Sequence, residues 1–424
     1  MSNETTPLPP PLDLSRWRKA PAVLMVVGGI LSLIGLIVSL AQGKDADFGN
    51  ISGTQFGLAW LLAFMFYLTL TLGCLFWVTV HHLTDAGWSV ATRRFCEHIG
   101  SLLFPWMALL FLPIVALAPR IYHWLTLPVT DELIQARWPV FTFGGFIITS
   151  AIFFGIWWLL SSRLSYWSLR QDVTGDPLCT HRMRFHSGWG IVALSLSLTF
   201  AAALWMKALQ HQWFSAIYGV YFFANCAWIS LATMYLLAVL LQRQRILDRV
   251  LHDHQFYFIG VLFFALTLFQ AYAEFAQYFV VWNANMPEET FYYVIRENGS
   301  WWGWSMFLIV GHFFLPFFIL LPVKVKTNFK VMLPVCAWAW VMNFVDLAFN
   351  TLPAFNRHGY PWAWLPVQLG CLMLMGGFLA WVFLKKFVSH PPYPQRDPRV
   401  LEAMGHTLEP EEMPDTLPAE GGDR

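Results

Sequence analysis

Residues 256–282 read FYFIGVLFFALTLFQAYAEFAQYFVVW, a run whose only charge is Glu274. About 20 apolar residues suffice to cross the roughly 30 Å of hydrocarbon in a bilayer. No water is present there to satisfy backbone N–H and C=O groups, so a segment of this kind is a helix. An ionisable side chain inside it is costly unless paired or hydrated, which makes it a functional-site candidate by default. Gln270, Glu274 and Gln277 are spaced by four and three residues and share one helical face.

The same pattern recurs along the chain. Hydrophobic residues make up 57% and charged residues 12%, against roughly 45–50% and about 25% in soluble domains. Ten spans are expected, at about 21–42, 57–80, 101–122, 140–162, 187–209, 214–240, 256–282, 302–322, 331–351 and 362–384. The fold class is therefore all-α, a polytopic integral membrane helix bundle. The first span also allows a leader reading, since Ser39-Leu40-Ala41 has the small residues of a cleavage site. Its run of about 20 apolar residues exceeds the roughly 7–15 of a leader core, which favours a retained helix.

Lys and Arg set the expected orientation. Take the N-terminus, the loops after even-numbered spans and the C-terminus as one side: 20 of these residues lie there against 6 on the other, namely Lys44, Arg120, Arg137, Lys207, Arg296 and Arg357. The positive-inside bias places both termini in the cytoplasm. Residues 1–19 read as a cytoplasmic tail, 20–386 as one membrane domain and 387–424 as a Pro-rich, acidic, disordered tail. Pro287, Glu288, Glu289, Arg296 and Glu297 fall in the longest outer loop, about 283–301. No loop holds a soluble catalytic domain, and the net charge of +1 gives no reason to expect nucleic acid. Of the 23 Trp residues, Trp60, Trp138, Trp189, Trp213, Trp282, Trp301, Trp302 and Trp362 sit near span ends. An aromatic belt explains these more simply than stacking on a quinone ring.

Two further spans carry polar stripes. The ninth has Asn343, Asp346 and Asn350; the eighth has Ser305 and His312, seven apart and so on one face. Carboxylates and an imidazole suit proton transfer because their proton affinities can be tuned toward neutrality. The alternative is plain interhelical bonding, which needs no transport role. Asn225 and Gln368 are single polar positions and read as structural. On the cytoplasmic side His81, His82, Asp85, Arg93, Arg94, Glu97 and His98 form a cluster. It reads as a solvated inner loop first, and as an inner half-path or a quinone grip second.

Redox ligation has no motif here. Only His312 lies deep in a span, so a transmembrane bis-His haem lacks its second ligand. None of Cys74, Cys96, Cys179, Cys226, Cys336 and Cys371 forms C-x-x-C. No metal site is expected.

Residues 81–98, from His81-His82 through Asp85 to Arg93-Arg94 and Glu97, resemble a segment of the second large membrane subunit (ActF) of bacterial alternative complex III. So does 277–304, with Asn283-Ala284-Asn285-Met286-Pro287-Glu288-Glu289-Thr290 as its most specific part. The resemblance runs on through His312-Phe313 and Pro316-Phe317 to Asp346, covers most of 20–385, and leaves out both tails. It implies a ten-helix subunit of the NrfD-like, polysulfide-reductase-type membrane family in a bacterial inner membrane. Its complex oxidises quinol and passes electrons to cytochrome c or a terminal oxidase. Haem c and iron–sulfur clusters are then expected in partners: a multihaem cytochrome c, an iron–sulfur protein and a paralogous NrfD-like subunit. Glu274, His312 and Asp346 become proton-relay candidates, supported by Gln270, Gln277, Asn343, Asn350 and Ser305. Two rivals stand beside this expectation. One is the membrane anchor of a periplasmic molybdopterin oxidoreductase. The other is an independent secondary transporter, for which the sequence offers no convincing pair of interrupted helices.

Overall fold

The computed structural model describes residues 14–42, 52–128, 131–247 and 250–400. All regular structure among them is helical, and ten segments are long and apolar enough to cross a membrane. They are α1 Lys19–Ala41, α2 Thr54–Leu83, α3 Gly87–Ile121, α4 Phe143–Thr174, α5 Leu178–Gln210, α6 Tyr218–Arg243, α7 Asp253–Ala284, α8 Ser300–Leu320, α9 Phe329–Ala354 and α10 Trp362–Val388. The expected all-α, ten-span bundle is thus the observed one. Eight of the ten expected starts fall within these helices, while those at about 140 and 214 precede Phe143 and Tyr218.

Helices α2 and α6 form the axis. Their most apolar windows are 89% and 83% buried, against 22% for α1 and 28% for α8. A helix apolar all round belongs in a core, and α2 has no polar stripe to turn outward. It packs on α6, α5, α10, α3 and α9, while α6 also holds α7 and α9. The axis is close because Gly73 lies at the crossing: a Cβ there would meet the Cys226 carbonyl oxygen at 1.9 Å. The α1–α10 seam follows the same rule, since a Cβ on Gly28 would meet Leu374 N at 2.4 Å. Small residues let membrane helices touch backbone to backbone, where packing replaces the missing hydrophobic drive.

Two spans are not single helices. In α3, residues Val90–Gly100 form one helix and Trp106–Ile121 another, with a turn at Ser101–Leu103 between them. Pro105 cannot donate an N–H, and it forces the preceding Phe104 into extended backbone. In α8, Ser300–Leu308 and Leu315–Leu320 flank a π-helical turn at Ile309–Phe314. The chain stays helical through the α8 turn, so of the two only α3 is broken, at its Lys/Arg-rich end. The outer loop also gains structure: Pro287–Glu297 is a helix with Pro287 in its first turn and Glu288 and Glu289 at its positive end.

The tails divide. Residues 1–13 and 401–424, parts of the two expected tails, lie outside the described residues. Residues 389–400 were expected to be disordered, yet they fold against the Lys/Arg-rich end of the bundle: Asp397 is 3% exposed and Arg399 7%. Ion pairs described below hold them there.

Candidate functional site

The polar stripes of α7, α8 and α9 converge on α6. Glu274 accepts from Gln270 Nε2 at 3.3 Å, and its Oε1 lies 3.5 Å from His312 Nδ1. The π turn accounts for the placement of His312. Pro316, four residues on, has no N–H to return to the His312 carbonyl, so the regular helical register fails at this point. The imidazole is buried and meets the Trp228 ring edge-on at 4.4 Å. Trp228 is itself fixed by Nε1 donating to Thr267 Oγ1 at 2.9 Å. Neither ring nitrogen of His312 makes a hydrogen bond, so its approach to Glu274 is an ion-pair distance without hydrogen-bond geometry.

Asp346 lies about 12 Å along α9 from its Lys/Arg-poor end, at about 1.5 Å per residue. Tyr221 donates its hydroxyl to Oδ1, Asn225 Nδ2 donates to Oδ2 at 3.0 Å, and Asn350 Nδ2 donates to Oδ1 at 3.2 Å. Tyr221 and Asn225 are one turn apart on α6, which aims both at the same carboxyl. The charges of Glu274 and His312 reach Asp346, so the three stripes share one electrostatic site.

From Asp346 a hydrogen-bonded chain leads to the Lys/Arg-poor end. Asn350 Nδ2 donates to the Tyr221 hydroxyl oxygen at 2.6 Å, and the Tyr292 hydroxyl donates to Asn350 Oδ1 at 2.9 Å. Tyr292 lies in the loop helix, stacked on Trp213 with ring centroids 3.7 Å apart. Burial raises its proton affinity above the ordinary tyrosine value, so it stays a neutral donor at physiological pH. Arg296 spreads its guanidinium 3.4 Å above the Tyr292 ring. It donates to the carbonyls of Phe349 (3.1 Å), Asn350 (3.1 Å) and Tyr292 (2.8 Å), and to Gln210 Oε1 (3.1 Å). The Phe349 and Asn350 carbonyls lie near the end of α9, where the helix dipole is negative and a cation is favoured.

The supporting residues divide. Asn343 donates to Thr69 Oγ1 on α2 at 3.4 Å, one turn below Asp346. Gln277 instead accepts from Ser215, away from Glu274. Ser305 donates to the carbonyls of Arg296 (3.2 Å) and Trp301 (3.1 Å), because the π turn breaks the seven-residue register with His312. Asn225, read as structural, is a direct partner of Asp346; Gln368 pairs only with Tyr360. Five buried polar atoms at this site have no protein partner: Asn225 Oδ1, Gln270 Oε1, both His312 ring nitrogens and Asn343 Oδ1. Sequence reasoning missed Tyr221, Tyr292 and Arg296. The Tyr221–Asn225 spacing was a usable signal, whereas nothing local marks Tyr292 as a neighbour of Asn350, 58 residues away.

The Lys/Arg-rich cluster is not a solvated loop. His81, His82, Arg93, Arg94, Glu97 and His98 are each at most 4% exposed. Arg93 pairs with Glu97 (2.9 Å) and Asp397; Arg94 pairs with Glu97 (3.3 Å) and Asp172. Ser168 donates to Glu97 Oε2 at 2.9 Å. Arg399 grips Asp397 through Nε and Nη2, both at 2.8 Å. Three guanidiniums thus balance three carboxylates, which is what makes their burial tolerable. Asp85 stays exposed on the rim, paired with Arg184 and Arg399 at 3.1 Å each. His81 lies between Ser89 Oγ (2.6 Å) and Arg93 Nη1 (3.0 Å), while both nitrogens of His82 and of His98 have no partner. No group of three His, Cys, Asp or Glu side chains assembles as a metal site among the described residues.

The tryptophans also divide. Trp138, Trp282, Trp302 and Trp362 are exposed as a belt requires, but Trp60, Trp213 and Trp301 are buried packing residues. Comparison with protein-family models finds no match, and comparison with curated proteins finds none. What the geometry itself defines is a multi-pass helical membrane protein with a buried, multi-helix carboxylate–imidazole site.

Proposed function

We propose that this chain is a membrane subunit of a quinol-oxidising respiratory complex of the alternative complex III kind, and that its buried polar chain carries protons. The observation behind the proton role is the pair of neighbouring groups, Glu274 against His312 and Asp346 bonded through Asn350 to Tyr292, which act on one another electrostatically across α7, α8, α9 and the loop helix. Structural bonding alone would leave few buried polar atoms unmatched, since each costs about 1–3 kcal/mol. Here Asn225, Gln270 and His312, each next to one of the carboxyls, leave buried polar atoms without a protein partner, which suits a site built to take a transient hydrogen-bonding guest. In this reading Glu274 and His312 exchange a proton, Asp346 takes it up by way of water, and Tyr221, Asn350 and Tyr292, which all donate toward Asp346, hold its carboxyl while the proton leaves through water toward the Lys/Arg-poor side. That side is the periplasmic one if both termini are cytoplasmic, in a bacterial inner membrane.

Electron transfer belongs to the partners in this proposal: a multihaem cytochrome c, an iron–sulfur protein and a paralogous NrfD-like subunit, with cytochrome c or a terminal oxidase as acceptor. Quinol is the electron donor of the complex, and no redox group is assigned to this chain. Mild-detergent purification from native membranes tests the assignment. Co-purifying c-type haem and iron–sulfur subunits with quinol oxidase activity support it; a molybdopterin partner overturns it. One observation favours a second reading, the independent secondary transporter. Span α3 is broken at Phe104 and α8 carries a π turn, and transporter substrate sites are built on discontinuous helices. Solute uptake by the purified chain alone in liposomes is the result that reading requires.

A further inference from the structure

Residues 391–400 cross the Lys/Arg-rich end of the bundle and bind three of its elements. Asp397 sits between Arg93 at the start of α3 and Arg399 of its own segment. Arg399 Nη1 reaches Asp85 in the turn after α2 at 3.1 Å. Gln395 N donates to Asp172 Oδ1 at 3.0 Å, and Arg396 Nη1 donates to the Val173 carbonyl at 2.8 Å, both at the end of α4. Asp85 in turn pairs with Arg184 of α5. Asp397-Pro398-Arg399 is therefore a two-ended clip: its carboxylate holds α3 and its guanidinium holds the α2 turn.

Beneath the clip lie His81 and His82. The charges of Asp397 and Arg399 act on both rings. A cavity of about 10 Å³, room for one water, is lined by His81, Ser89, Thr92 and Arg93 among others. We propose that residues 391–400 are a strap that seals this end of the bundle and governs solvent access to the His82 imidazole. The physical reason is charge matching. With the strap in place Arg93, Arg94 and Arg399, the buried guanidiniums of this end, each have a carboxylate. With the strap gone, Arg93 and Asp172 each lose a partner in a nearly dry site, and water must enter to solvate them. That water then reaches the unpartnered nitrogens of His82. Because the pairs are buried, salt screens them weakly, so lifting the strap takes a competing partner rather than ionic strength.

The proposal stands on burial and pairing and is independent of the proton role. It is tested by deuterium exchange at the imidazole C2 position, followed by mass spectrometry on the full chain in lipid nanodiscs. His312, far from the strap in α8, is the internal control. A chain ending at His390 and the point variant Asp397→Asn both accelerate His82 exchange severalfold and leave His312 unchanged, while Asp397→Glu restores slow exchange. If truncation prevents accumulation, Asp397→Asn decides alone. Unchanged His82 exchange, or an equal rise at His312 that signals general loosening, overturns the proposal.

Discussion

Glu274 and His312 approach to 3.5 Å across the α7–α8 contact, with the imidazole buried and the carboxyl side chain 30% exposed. The pair thus links the periphery of the bundle to its interior. Asp346, within electrostatic reach of both, takes the link on to α6 and the loop helix.

That relationship is measurable without a transport assay. A double-mutant cycle with Glu274→Gln and His312→Gln gives a coupling energy of roughly 0.5–2 kcal/mol in unfolding from detergent micelles. Additive single-variant effects would mean that the two groups do not interact.

Arg296 makes four hydrogen bonds, two of them to the end of α9, and stacks on Tyr292. Arg296→Ala strands those acceptors, and charged hydrogen bonds contribute about 1.5–3 kcal/mol each before relaxation. A loss of about 3 kcal/mol or more is expected in the same unfolding assay. Arg296→Lys recovers only part of it, because an ammonium cannot reproduce the planar fork.

The strap has a defined pH range. Burial alone would raise the affinity of Asp397 for a proton, but Arg93, Arg399 and His81 face it and hold it well below its ordinary value of 3.8. A depressed carboxyl stabilises the fold fully above the unfolded value and loses that contribution as pH falls through the folded one. His82 exchange protection, corrected for the intrinsic pH dependence of imidazole exchange, is therefore flat from pH 8 to about pH 5. It is lost only in strong acid. Loss near pH 6 would assign control to another group.

Close helix crossings give a packing prediction. Gly73→Ala drives a methyl into the Cys226 backbone, and overpacking of this kind costs about 1–3 kcal/mol. Gly155→Ala, where a Cβ meets nothing within 4 Å, leaves the unfolding midpoint unchanged or slightly raised.

The spans were legible because hydrocarbon leaves one solution for a long apolar run. Glu274, His312 and Asp346 were legible because charge is conspicuous there. Their convergence was not, since it depends on the π turn, which breaks the α-helical register linking Ser305 to His312. Tyr221 and Tyr292 were hidden because a tyrosine near a span end is ordinary in a membrane protein. The Arg93–Asp397 pair was hidden by the 304 residues between its members, and the Pro-rich composition around Asp397 resembles a disordered tail.

Proton release per electron in the reconstituted complex tests the central claim most directly. With quinol as donor, Asp346→Asn keeps the acceptor for Tyr221 and Asn350, requires Asn225 to turn its amide and accept instead of donate, and removes the titrating carboxyl. The account predicts assembled complex with intact quinol oxidation and fewer protons released per electron than in the wild type. Wild-type proton release per electron in this variant and in Glu274→Gln would contradict it.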